Sequence, residues 1–403
     1  MKRFITLIII FFFASSIFAQ GINLNQGSIK QKEYLQKIPY QNKAGMLIIP
    51  ATINGKTYNF LFDTGAPLTI SDKLLKEINL PILGEAKIGD SSGEVREMRY
   101  ISLPELHLNE ITFINTTGIV WHEETLKILE CLEIDGTIGS NMLKNSVVQI
   151  DEQRKHIIIA DNIKKISGYK GRFQKMETSP GQSSPFIIIG FQKGKQKARE
   201  KVLFDTGAGD FYNMSLGVYN QLNYKAIDVV NKIAESEGFF SGGIHGMDIK
   251  QQHLLLNIPK LVIYKMIFND VVIATTNSSN SRIGSQLLKY GLVTLDYNKK
   301  RFYYKPFDNI DTSELSQKPM AILPTLQNDK LVVGIIWDKT LESQINLGDE
   351  VLSINGINIQ TMSVCELFNF DNTSSNDEKV EELILELKDI KTGETKKVGI
   401  KRL

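Results

Sequence analysis

One segment of this chain occurs twice, and that repeat restricts the fold more than any other feature. Residues 46–65 read MLIIPATINGKTYNFLFDTG, and residues 186–207 read FIIIGFQKGKQKAREKVLFDTG. Each is an apolar run, a turn (Asn54-Gly55 in the first, Lys193-Gly194-Lys195 in the second), a second apolar run and then Asp-Thr-Gly-Ala. An apolar run, a glycine turn and a second apolar run form the pattern of a β-hairpin. Further on, GTIGSNML at 136–143 matches SRIGSQLL at 281–288; 76 residues separate Asp63 from Gly139, and 79 separate Asp205 from Gly284. Each of these glycines leads, 12 residues later, to an aspartate (Asp151 or Asp296), a basic turn and an apolar strand. Four features in one order at nearly one spacing predict two homologous units, 46–165 and 181–307.

Many short strands and glycine turns, with one short helix after each Ile-Gly (Ser140–Leu143 and Ser285–Tyr290), predict an all-β fold of two small closed barrels in tandem. A lead-in covers 20–45, and a polar, basic linker covers 166–180, running into Ser179-Pro180-Gly181. A second break falls at Asp308–Pro319. The segment 320–403 holds no copy of Asp-Thr-Gly and reads as a separate α+β domain. Its predicted elements are a strand at Leu331–Trp337, a helix at Ser363–Phe368, and strands at Leu383–Leu387 and Lys397–Lys401.

The first nineteen residues read as a secretory signal peptide. Lys2 and Arg3 supply the charge, Phe4–Phe13 the apolar run, and Ser15, Ser16 and Ala19 the small-residue exit, with cleavage expected after Ala19. The rival is an N-terminal anchor, but the run is short against the roughly 20 residues a bilayer span needs. The mature chain is therefore expected to be exported, periplasmic or secreted, with no membrane span and as a monomer. The formal charge of +2 falls to zero without Lys2 and Arg3, which argues against a nucleic-acid partner. The two cysteines, Cys131 and Cys365, fall in different predicted domains and are expected as unpaired, buried small residues. The histidines (His107, His122, His156, His245, His253) have no metal-ligand spacing, and no metal or other cofactor is expected. Asp151 and Asp296 are expected to form hairpin turns.

The chemistry sits at Asp63 and Asp205. In each Asp-Thr-Gly loop the glycine (Gly65, Gly207) permits a tight turn beside the carboxylate. The threonine hydroxyl (Thr64, Thr206) can bond into the other unit. Two such loops docked about a pseudo-two-fold axis bring two carboxylates side by side, and charges that close share one proton. The doubled strand, Asp-Thr-Gly-Ala and downstream Ile-Gly resemble the retropepsin-like aspartic proteases, more particularly the single-chain, two-lobed bacterial type with a C-terminal PDZ domain. The resemblance implies Asp63 and Asp205 as catalytic residues, with Thr64, Gly65, Thr206 and Gly207 supporting them. It also implies a polypeptide substrate and Ile138-Gly139 and Ile283-Gly284 packed beneath the loops. Thr137 and Arg282 depart from the apolar residue expected before each Ile.

The resemblance also implies a hairpin closing over the substrate, for which Gly89–Val95 and Gly238–Gly246 are the candidates. Ala66 and Ala208 carry no hydroxyl to stabilise an ionised carboxylate, so activity is expected at mildly acidic to near-neutral pH. Residues 345–356 (INLGDEVLSING) are similar to a PDZ motif, which implies a peptide ligand bound by strand addition. The expected function is an exported aspartic endopeptidase. The alternative is a catalytically inactive peptide-binding or scaffold protein of the cell envelope.

Overall fold

The computed structural model describes residues 22–89, 95–121, 127–169, 172–239, 242–243, 246–247, 250–374 and 382–403. The expected signal peptide lies outside them. Among the described residues strand accounts for 52% and helix for 14%, so the fold is mostly β.

The first hairpin, Met46–Ile53 with Lys56–Asp63, turns at Asn54-Gly55, where both residues have positive φ. Such φ values suit the twist of a two-residue hairpin turn, and asparagine and glycine tolerate them. The hairpin belongs to a closed ring of six strands. Lys56–Asp63 lies beside Gly136–Gly139, then come Thr69–Ser71, Ile111–Trp121 and Val95–Leu108, which returns to Met46–Ile53. A second ring repeats this order with Pro185–Lys193, Gln196–Phe204, Arg282–Ile283, Tyr212–Ser215, Met266–Thr276 and Gln251–Ile263. In both rings the strand that ends at the Asp-Thr-Gly loop pairs in parallel with the strand of the Ile-Gly. Closure removes the free sheet edges that would otherwise invite association.

The rings do not hold separate cores. A shared six-stranded sheet joins them, its centre being Val147–Asp151 paired antiparallel with Gly291–Asp296. Ile150, Val293 and Phe302 of this sheet belong to one continuous apolar cluster with Phe60 and Phe62 of the first ring and Phe204 of the second. The lead-in takes part as well. Leu35–Pro39 forms an edge of the shared sheet, and Ser28–Ile29 and Gln41–Lys43 extend the first ring. Within the expected linker, Gln174–Lys175 and Glu177–Thr178 form short strands against Arg301–Pro306 and Pro185–Lys193. Asp151 and Asp296 accept from the N–H of Arg154 (3.1 Å) and Lys299 (2.9 Å), closing the turns where they were expected.

Residues 320–403 build their own sheet, in the order Ile322–Gln327, Lys330–Ile336, Glu350–Ile354, Glu382–Lys388, Thr395–Lys401, over a separate apolar cluster. The helix Val364–Ser374 extends beyond the expected Ser363–Phe368. This unit is fastened to both rings. Against the second, the Phe239 N–H donates to the Gly334 carbonyl at 2.9 Å, and Ile335 and Trp337 pack on Leu255. Against the first, Lys127 pairs with Asp329, and Cys131 is disulfide-bonded to Cys365.

The disulfide overturns the expectation of two unpaired thiols. That expectation treated domains distant in sequence as distant in space. The helix Lys127–Cys131 in fact lies against Val364–Ser374, 234 residues away, and their docking brings the two Cα atoms to 5.1 Å.

Candidate active site

Asp63 ends its strand in register with Gly139, and the Asp205 N–H donates to the Ile283 carbonyl at 2.8 Å, so each carboxylate is anchored by the Ile-Gly strand beside it. Both Ile138 and Ile283 are wholly buried in the ring cores. A Cβ on Gly139 would collide with the Pro67–Leu68 peptide, and one on Gly284 with the Ala208 and Asp210 carbonyls. The next residue clamps the loop from below. Ser140 N–H donates to the Ala66 carbonyl and Ser285 N–H to the Ala208 carbonyl, each at 2.8 Å. The packing of Ile-Gly beneath the loops is thus present in both copies, despite Thr137 and Arg282.

The two loops meet face to face. The Thr64 hydroxyl donates to the Phe204 carbonyl (2.6 Å) and accepts from the Thr206 N–H (3.1 Å). The Thr206 hydroxyl donates to the Phe62 carbonyl (2.7 Å) and accepts from the Thr64 N–H (3.1 Å). Both threonines are fully buried, and these four bonds pair each hydroxyl as donor and as acceptor across the seam. A Cβ on Gly65 would lie 2.5 Å from the Asp205 Cγ, and one on Gly207 would strike the Asp63 carboxylate. Only glycine lets each loop reach the other loop's acid.

The Asp63 and Asp205 carboxyl groups lie within hydrogen-bonding reach of each other. Burial, the adjacent Asp205 charge and their mutual hydrogen bond push the Asp63 carboxyl well above the usual range, against two backbone donors. Those donors are the N–H groups of Gly65 (2.7 Å) and Ala66 (3.1 Å), both to Oδ1. Asp205 Oδ1 accepts from the Gly207 N–H at 3.0 Å. The structure therefore brings together Asp63, Thr64, Gly65, Asp205, Thr206 and Gly207. Such a pair can hold one proton, accept another from water and donate to a carbonyl oxygen.

The parts around the pair are less symmetric. In the first copy Pro67 and Leu68 lead directly into the strand Thr69–Ser71. In the second Asp210 lies on the surface and accepts from the Asn213 side chain at 3.1 Å. The expected flap Gly89–Val95 lies largely outside the described residues. Its flanks, Gly84–Gly89 and Val95–Tyr100, pair as an antiparallel hairpin. Gly238–Gly246 also falls in part outside them, between Asn231–Gly238 and its partner Gln251–Ile263. Among the described residues no group of His, Cys, Asp and Glu is arranged to hold a metal ion, and no helix is long and apolar enough to cross a membrane.

Sequence reasoning missed one neighbour of the pair. An Arg282 guanidinium nitrogen lies 3.8 Å from Asp205 Oδ2, both side chains nearly buried. The available signal was the break in the apolar-apolar-Gly pattern, which shows that Arg282 is unusual but not what it faces.

Residues 49–142 match the family model described as aspartyl protease, which takes in the first Asp-Thr-Gly and its Ile138-Gly139. A search of curated proteins finds no match.

Proposed function

We propose that this chain is a single-chain, two-lobed aspartic endopeptidase of the retropepsin-like kind, with Asp63 and Asp205 as its catalytic pair. The observation that carries the reading is the approach of the two Asp-Thr-Gly loops. Each glycine abuts the other loop's carboxylate, and each threonine bonds the other loop's backbone.

In this reaction the ionised carboxylate takes a proton from a water as its oxygen bonds to the peptide carbonyl carbon. The protonated carboxyl gives its proton to the carbonyl oxygen. The tetrahedral adduct then collapses. The C–N bond breaks, the departing nitrogen takes the proton gained from water, and a hydroxyl of the adduct returns the other proton to the pair. Neither acid becomes covalently attached to the substrate.

The remaining parts fit an exported enzyme acting on extended polypeptide. A disulfide is usual in oxidising compartments and rare in the cytosol, which favours a periplasmic or secreted location and a cleaved leader at 1–19. The repeat lobes are assigned to 46–165 and 181–307 and a PDZ-like peptide-binding unit to 320–403. The edge strand Ile322–Gln327 is suited to strand addition by a polypeptide. The test is a digest of a peptide library by the wild type, Asp63→Asn and Asp205→Asn. Cleavage by the wild type alone is expected. Equal cleavage by either variant contradicts the assignment, and cleavage by none favours a peptide-binding role.

A further inference from the structure

Strand register fixes where Arg282 points. Ile283 is wholly buried in the second ring, so its neighbour Arg282 lies on the opposite, outward face. Arg282 is in register with Leu203, and Phe204 with Ile283. Phe204 is buried inward, so Leu203 and Asp205 lie on the outward face with Arg282. The position in the first ring matching Arg282 is Thr137, in register with Leu61 two residues before Asp63. One lobe thus sets a guanidinium beside its acid, and the matching position of the other is a neutral, buried threonine.

We propose that Arg282 is a positioning residue that makes the pair unequal, holding the negative charge on Asp205 and leaving the shared proton on Asp63. The inference rests on the proteolytic reading and deepens it, because it assigns the two roles. Asp205 takes the proton from water, and Asp63 protonates the carbonyl oxygen. Backbone donors alone would favour the opposite assignment. Asp63 Oδ1 accepts from two N–H groups and Asp205 Oδ1 from the Gly207 N–H. At 3.8 Å the guanidinium acts on Asp205 as a full opposite charge rather than through a hydrogen bond, and a charge at that range favours the ionised carboxylate by about 1–3 in pKa.

Other groups that face the pair do not reverse the bias. Tyr297, from the segment after Gly291–Asp296, is itself neutral, its phenol pushed up first of all by burial. Asp210 in the second loop lies at the surface. The first loop, Thr64–Leu68, brings no ionisable side chain. Arg282 also donates to the Thr276 hydroxyl at 3.5 Å, which orients the guanidinium.

The test compares wild type, Arg282→Leu and Arg282→Lys by two measurements. One is the pH profile of kcat/KM on a peptide that the wild type cleaves. The other is a carboxyl 13C NMR titration of the unliganded protein. The expected result for Arg282→Leu is an upward move of the acid limb by about one to three pH units, the scale of an opposite charge within 4–6 Å. The first carboxyl titration step should move with it, and Arg282→Lys should recover most of the shift. An unmoved acid limb together with an unmoved first step overturns the inference while leaving the proteolytic reading intact. If the wild type cleaves no peptide, the proteolytic reading fails. The NMR titration then decides the role of Arg282 alone, with Arg282→Gln, which also removes the charge, serving if the leucine variant does not fold.

Discussion

Thr64 and Thr206 bond reciprocally across the lobe seam, the hydroxyl of each accepting the other's N–H at 3.1 Å. Each hydroxyl also donates to the carbonyl that precedes the opposite aspartate. The two acids are therefore spaced by a symmetric set of buried bonds rather than by mobile side chains.

Removing one hydroxyl orphans a buried carbonyl and a buried N–H at once. Thr64→Ala and Thr206→Ala should each lower stability by about 1–3 kcal/mol per group left unpaired. Thr→Ser at the same sites should lose far less. Denaturant titration of the four variants checks this, and alanine variants as stable as the serine ones would contradict it.

The pH dependence of catalysis follows from the pair. The active form holds one proton. As pH rises, Asp63 gives up that proton only well above the ordinary carboxylate value of about 4. As pH falls, the charge on the pair is lost. The kcat/KM profile should be a bell whose basic limb lies above the normal carboxylate range, with activity at mildly acidic to near-neutral pH. A profile confined to pH 2–3 would contradict the raised Asp63 carboxyl.

Glu200 is a second titrating acid, inside the second ring. Its carboxylate accepts from the Tyr212 hydroxyl at 2.5 Å, and burial pushes its pKa from 4.5 up to about 7, against the pull of Ser281 and Tyr212. Below pH 4.5 the group is protonated whether the chain is folded or not. Between 4.5 and about 7 the folded form keeps a proton that the unfolded form releases, so Glu200's contribution to stability falls as pH rises through that window and is level above it. Glu200→Gln should flatten that decline. Melting temperatures of both proteins from pH 4 to 8 provide the measurement, and an identical slope in the variant would contradict it.

The Cys131–Cys365 bridge fastens the C-terminal unit to the first lobe, while Gly334, Ile335 and Trp337 hold it to the second. Reduction, or Cys131→Ser, should weaken the docking of this unit by roughly 2–5 kcal/mol, the usual worth of a native bridge. Denaturant unfolding followed by Trp337 fluorescence in a Trp121→Phe background should show an earlier transition under reducing conditions. An unchanged transition would mean that the non-covalent contacts suffice.

What could be read from the sequence was what the chain encodes locally. Asn54-Gly55 between two apolar runs specifies a hairpin, and its recurrence with the Ile-Gly signals located both acids and the helix at Ser140–Leu143. The absence of a third Asp-Thr-Gly copy likewise set 320–403 apart, and that segment carries a sheet of its own. Features made by distant segments gave no such signal. Pairing of Val147–Asp151 with Gly291–Asp296, the enclosure of Leu35–Pro39 in the same sheet and the joining of Cys131 to Cys365 depend on how finished elements dock. Arg282 lies between these cases. Its charge broke a pattern, but only the strand register shows that it turns toward Asp205.

The joint action of the two carboxylates is tested most directly by kcat/KM of Asp63→Asn, Asp205→Asn and the double variant on one cleaved peptide. Groups that act as a unit are strongly non-additive. Each single change should abolish nearly all activity, and the double variant should be no worse than the poorer single one. Losses that multiply, or a single variant that keeps wild-type turnover, would show that the acids do not share a proton.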